Sequence, residues 1–249
     1  MKKMYYKTTW VILATVFMIS CQPPTTNEKQ NATNSTEVRF VRDKVLTQFE
    51  QEKMTPDLVI QSLKDGNQRF VKNELTATNN TAMVRDAAAG QYPEAIVLSC
   101  IDSRVPVEHV FDKGIGDLFV GRVAGNIVND DLLGSMEYAC KVAGSKLILV
   151  MGHESCGAVK SAIDQVELGN ITELLDKIKP AIELSADFNG DHNSKNDAYV
   201  DYVATNNVLE TMKEIRENSS ILKQMEESGQ IKIVGAYYHL DTGEVLFLD

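Results

Sequence analysis

From Val38 onward the apolar positions switch between two spacings. Ile231–Tyr238 reads as a late strand, whereas Ala95–Ser99, Leu118–Val123 and Lys146–Met151 are short, nearly unbroken runs rich in aliphatic and β-branched residues. That length and composition predict strands covered on both faces. Between and after them, apolar residues recur every three to four positions and predict helices over Leu132–Val142, Cys156–Val166, Ile171–Ser185 and Asp197–Glu217. Asp241-Thr242-Gly243 then predicts a tight turn that pairs Ile231–Tyr238 with Glu244–Leu248 as a hairpin. Strand–helix alternation predicts an α/β fold: a mainly parallel central sheet flanked by helices, with an antiparallel edge strand. Ahead of the sheet, Val38, Val41, Val45 and Phe49 predict an amphipathic helix, and Thr55-Pro56 reads as the N-cap and first-turn proline of a second helix reaching about Glu74. Two helices before any strand are either a core layer or arms that embrace another subunit. The polar stretch Thr76 to Thr81 separates residues 38–75 from a body spanning residues 90–249.

Upstream of Val38 the pattern belongs to export. Lys2, Lys3 and Lys7 precede an apolar run from Trp10 to Ile19, too short for a bilayer span of ~20 residues. Met18-Ile19-Ser20-Cys21 resembles a bacterial lipobox, so residues 1–21 read as a lipoprotein signal peptide ending at Cys21, the lipidated residue. Residues 22–37 are polar and contain prolines, which predicts a flexible tether. The domain, residues 38–249, is expected at the cell envelope, anchored by lipid. An uncleaved anchor or ordinary secretion are the competing readings, and the N-x-S/T triplets at Asn31, Asn34, Asn79, Asn170 and Asn218 are discounted for a bacterial protein.

Composition changes the picture little. The 249 residues carry a formal charge of −10 and are 43% hydrophobic, an ordinary globular balance. With no basic stripe, nucleic acid is not an expected partner.

The candidate chemistry lies in two segments. SCIDSRVP places Cys100, Asp102 and Arg104 directly after the first strand; GHESCGAVKSA places His153 and Cys156 after the third. Two thiolates and an imidazole suit zinc, leaving a fourth position for water. Sites in doubly wound sheets form where strands end, and Cys156 opens a helix whose N-terminus favours its thiolate. Gly152 and Gly157 flank the pair and are expected to allow tight turning and close approach. Arg104 is two residues beyond Asp102, so both side chains can share one side and form a charge-assisted pair. A Cys100–Cys156 disulfide is the competing reading, but it leaves His153, Asp102 and Arg104 without a role. Cys140 is expected to be a core thiol. His109, His192 and His239 lack motif context.

CIDSRVP, GDLFVGRVAGNIV and GHESCGAV together resemble the β-class carbonic anhydrases, a similarity that runs over about residues 54–249. The resemblance implies zinc on Cys100, His153 and Cys156, an Asp102–Arg104 catalytic dyad, and hydration of CO2 to bicarbonate by zinc-bound hydroxide. Asp102 is in that family also the fourth metal ligand of a closed state. It further implies that Gln91 lines the CO2/bicarbonate pocket near a dimer interface, and that N-terminal helical arms embrace a second subunit in a homodimer or larger homo-oligomer. One departure concerns regulation: Val97 stands where a bicarbonate-inhibited subgroup has tryptophan, although Arg122 matches an arginine of that pocket. Hydration of another small heterocumulene, and a zinc-binding module without activity, are the alternatives. A thiol redox protein is excluded by the absence of C-x-x-C.

Overall fold

A computed structural model describes residues 41–248. The predicted signal peptide, Cys21 and the tether lie outside the described residues. Among those described, no helix is long and apolar enough to cross a membrane.

The chain begins with β1 (Val41–Arg42), α1 (Gln48–Glu52), α2 (Pro56–Val71), β2 (Ala77–Thr78) and α3 (Asn80–Ala87). It then alternates through β3 (Ala95–Ser99), α4 (Val107–Val110), β4 (Leu118–Arg122), α5 (Asp130–Glu137), a π-helical turn at Tyr138–Val142, and β5 (Leu147–His153). α6 (Gly157–Ile163), α7 (Asn170–Asp176), α8 (Lys179–Leu184), α9 (Asp197–Asn218) and α10 (Ser220–Glu227) lead to β6 (Lys232–Tyr238) and β7 (Val245–Leu248).

The main sheet has the order β4-β3-β5-β6-β7. β4, β3, β5 and β6 run parallel, and β7 closes the edge antiparallel to β6. Every residue of β3 and β5 is buried, as the unbroken apolar runs require of strands with helices on both faces. Side chains alternate across the sheet. Ile96, Leu98, Ile148 and Val150 join a core built with α5, α9 and α10. Ala95, Val97, Leu147 and Leu149 pack on the other face against Val59 and Leu63 of α2 and Val107 and Val110 of α4.

The N-terminal helices depart from expectation. No helix covers residues 41–47: Val41 and Arg42 instead pair in parallel with Ala77 and Thr78. Helix begins only after Thr47, whose side chain and Glu50 form a capping box. Val41 and Phe49, two positions of the apparent apolar stripe, are 46% and 65% exposed. α2 starts at the expected Thr55 cap, and its Val59 and Leu63 pack in the core of their own chain while Leu58 is exposed. Its Asn67 donates to Val110 O and Gly243 O and accepts from Val245 N, stitching α2 to the sheet edge.

Strand order also positions the site. The connection leaving β3 goes to β4 on one side, whereas that leaving β5 leads to β6 on the other. Adjacent strands whose connections diverge open a crevice at their C-terminal ends. Ser99 is in register with Met151, so Cys100 and His153 emerge at this crevice.

Candidate metal centre

Three elements deliver the three donors. Cys100 follows β3, His153 ends β5, and Cys156 is the N-cap residue of α6. Between the last two, Ser155 adopts φ +51° and turns the chain back toward the sheet. The expected flanking glycines divide here. A Cβ on Gly152 would come within 2.8 Å of Val208 Cγ2, so α9 approaches too closely for a side chain. Gly157 has open space around it and supplies no close approach.

The donors converge. One ligand atom each from Cys100, His153 and Cys156 lies within 4.8 Å of the others, and all three residues are at most 5% exposed. His153 Nδ1 is 2.8 Å from the Glu154 carbonyl oxygen, so it is the protonated nitrogen and donates that bond. Nε2 is left buried with no hydrogen-bond partner among the described residues. A buried nitrogen without a partner is costly, and facing two thiols it fits a metal ion. All three described cysteines are free, so the disulfide alternative does not describe this site. The facing Cys156 thiol, against the cost of burial and with help from His153 and the Gly125 and Asp102 amides, draws Cys100 down to about 4. Cys156, the partner that keeps the proton while no metal is bound, is pushed up. Cys140 sits apart in the core, and burial pushes its thiol up to about 12.

Asp102 and Arg104 meet beside this centre. Arg104 Nε donates to Oδ1 at 3.0 Å and Nη2 to Oδ2 at 2.8 Å, while the Arg104 amide adds a third bond at 2.9 Å. Arg104, outweighing burial, holds the Asp102 carboxyl down to about 2. Asp102 Oδ2 lies 3.9 Å from His153 Nε2, the atom left open for the metal.

Three residues support the site; sequence reasoning noted Arg122 only as a match to a regulatory pocket and missed the other two. Arg122, at the end of β4, donates from Nε to Cys100 O at 2.9 Å and from Nη2 to Asp102 O at 2.5 Å, lacing the ligand loop to the sheet. Gly125 donates its amide to Cys100 Sγ at 3.4 Å and has φ +71°. A Cβ there would lie 2.7 Å from Ile178 Cδ1, so both conformation and space call for glycine. Buried Asn207 of α9 fixes that turn by donating to Gly125 O at 2.7 Å. The GRVAGNIV segment carried a signal for the first two; Asn207 is one polar residue on a buried helix face and carried none.

Gln91 does not join the site of its own chain. It is exposed, four residues before β3, whereas Cys100 follows the other end of that strand. The five residues of β3 span about 16 Å. His109 is exposed at the end of α4, and His192 stacks on Tyr199 at 4.6 Å.

Fold and centre together define an α/β metalloenzyme with two cysteines and one histidine, built at a strand-order switch and flanked by an acid–guanidinium pair. A family model described as carbonic anhydrase matches residues 95–245, more than half of the chain. The chain belongs to the carbonic anhydrase family, in its β class. It is 36% identical over 194 residues to carbonic anhydrase 2 of Mycobacterium tuberculosis, covering 76% of this chain and 90% of that one. Against the carbonic anhydrase of Mycolicibacterium smegmatis it is 37% identical over 190 residues, covering 74% and 89%. The solved β-carbonic anhydrase CcaA superposes with TM-score 0.62 at 26% identity, covering 77% of this chain and 88% of that one. The Coccomyxa β-carbonic anhydrase in complex with acetazolamide gives 0.59 at 28% identity, covering 66% and 75%.

Proposed function

We propose that this carbonic anhydrase uses zinc to interconvert CO2 with bicarbonate and a proton at the bacterial cell envelope. The observation that carries the reading is the Asp102 carboxylate, held by both arms of Arg104, 3.9 Å from the unpartnered His153 Nε2. Cys100, His153 and Cys156 would hold the ion. Zinc supplies there a Lewis acid able to lower the pKa of a coordinated water from 15.7 to about 7. The protein's own groups do the rest. Held down to about 2, Asp102 stays ionised throughout the neutral range, so it only accepts hydrogen bonds. An acceptor-only group fixes the proton of the attacking water on itself and turns a lone pair toward CO2. Arg104 occupies both carboxylate oxygens and keeps Asp102 from becoming a fourth ligand; the closed arrangement requires breaking that pair. Arg122 keeps the Cys100–Asp102 backbone in register with β4. His153 is fixed in one tautomer by the Glu154 carbonyl.

Gln91 then serves the pocket of a second copy in a homodimer. Its exposure and its place at the far end of β3 support this, as do the exposed apolar side chains of Phe49, Leu58, Tyr138 and Val142. The envelope location rests on the lipobox ending at Cys21 and the tether after it.

Stopped-flow CO2 hydration by the purified protein, with zinc assayed on the same sample, tests the function. Fast hydration with zinc bound supports it. Full zinc with no CO2 hydration, and turnover of carbonyl sulfide or carbon disulfide instead, would transfer the site to another heterocumulene. Full zinc with neither activity would leave a binding module.

A further inference from the structure

A second convergence of metal-type donors lies outside the catalytic set. Glu154, at the exit of β5, faces His239 and Asp241 in the β6–β7 turn, and one ligand atom from each lies within 4.8 Å of the others. The three come from two chain segments that the sequence gives no reason to associate. We infer that Glu154, His239 and Asp241 form a site for a divalent first-row transition ion, separate from the Cys100–His153–Cys156 centre.

The backbone around these residues is already satisfied, which leaves the side-chain donors free. His239 N donates to Glu244 O and Gly243 N donates to His239 O, both at 2.9 Å, closing the turn. Glu154 N donates to Tyr238 O at 3.0 Å, tying the exit of β5 to the end of β6. Leu240 N donates to Glu154 Oε2 at 2.9 Å, which aims the carboxylate at the turn and leaves Oε1 available. A carboxylate oriented by a backbone amide is the arrangement that supporting contacts give to metal ligands. The His239 ring packs edge-on against Tyr237, centroids 5.3 Å apart, and its nitrogens make no hydrogen bond to another described residue. Asp241 is exposed and free to rotate. That freedom matters, because donors on one ion at about 2.0–2.2 Å stand at most ~4 Å apart. Asp241, the exposed member of the three, is the donor that would move to close the difference. Ions have an entry path: His239 borders a groove of about 420 Å³ between α2 and β7.

One imidazole and two carboxylates select borderline ions such as zinc. No cysteine belongs to this cluster, so the two sites draw on different side chains. The two places are nevertheless linked by one bond, since the Glu154 carbonyl is the acceptor for His153 Nδ1.

The test is calorimetric titration of the full-chain protein, already carrying one zinc per chain, with zinc chloride, followed by elemental analysis after dialysis. A second equivalent in the wild type is expected. His239→Ala and Glu154→Gln should each keep the first equivalent and lose the second, with melting temperature in the singly loaded state showing that they fold. Cys156→Ser should lose the first and keep the second, which separates failure of one site from failure of the other. No second equivalent in the wild type, or one that persists in His239→Ala, would overturn the assignment.

Discussion

The Arg104 guanidinium grips Asp102 with two parallel bonds, 3.0 Å and 2.8 Å long, and its own amide adds a third. That grip determines both the charge and the direction of the carboxylate next to the metal centre. Asp102→Asn keeps the shape, loses the acceptor-only oxygens, and should lower CO2 hydration by roughly 10²–10⁴-fold, the usual worth of a positioned acid–base group. Zinc content should be unchanged, because Asp102 is not one of the three converging donors. Stopped-flow rates and zinc analysis on one sample check both parts.

Removing the guanidinium should act through pH. With Arg104, Asp102 is ionised down to about pH 2. Arg104→Ala releases the carboxyl toward the ordinary Asp range near 3.9. The variant's Asp102 carboxyl therefore titrates at higher pH, and its carboxylate becomes free to reach the metal. An Asp102 carboxyl whose titration, followed by carbon-13 NMR, is unmoved in the variant would contradict the role given to the pair.

Arg122 holds the backbone of two functional residues by its planar fork. Arg122→Ala should weaken zinc binding by roughly 10–100-fold, as loss of supporting contacts does elsewhere. Arg122→Lys should recover only part of this, since a single ammonium does not reproduce two fixed directions. Competition with a chromophoric chelator measures the affinity.

How much of this was readable in the chain varied with the kind of contact. β3 and β5 were legible because strands covered on both faces must be almost wholly apolar; β4 and the β6–β7 hairpin were legible as short apolar runs, although the edge strands β4 and β7 are only partly buried. The three metal donors were legible because strand ends bring distant motifs together predictably. The stripe of Val38, Val41, Val45 and Phe49 misled: periodicity carries no information about Val41 pairing with Ala77 or about Asp86 accepting from Val45 N. The segment Ile171–Ser185 reads as one helix, but it breaks where Lys179-Pro180 opens α8, because proline cannot donate within a continuing helix. Residues 107–110 and 220–227 form helices that the apolar pattern left unassigned, and α3 is capped by Asn79 inside a stretch read as a polar separator. Arg122, Gly125 and Asn207 act through tertiary contacts, and Gln91 serves no site within its own chain.

Gly125→Ala should destabilise the fold and the site together. It forces a side chain into φ +71° and into the space of Ile178 and Ala158. Left-handed backbone costs ~1–2 kcal/mol and overpacking ~1–3 kcal/mol, so urea denaturation should show a loss of about 2–4 kcal/mol.

At the opposite end of the sheet, Lys113 pairs with Glu94 at 2.5 Å, with side chains only 7% and 3% exposed. Burial already raises Glu94 against the pull of Lys113. Lys113→Met leaves a buried carboxylate without its cation and should cost ~3–5 kcal/mol at neutral pH. A raised carboxyl binds more protons folded than unfolded, so the variant's stability should fall as pH rises above the ordinary range near 4.5. Adding Glu94→Gln should remove that slope. Chemical denaturation at pH 5 and pH 8 checks the sign.

The claim that Cys100, His153 and Cys156 hold one zinc ion is tested most directly by zinc K-edge X-ray absorption on protein carrying one equivalent of metal. The expected spectrum has two sulfurs near ~2.3 Å and two nitrogen or oxygen donors near ~2.0–2.1 Å, with the sulfur shell lost in Cys156→Ser, which no longer holds zinc at this centre. A shell of nitrogen and oxygen alone, or a sulfur count unmoved by that substitution, would contradict it.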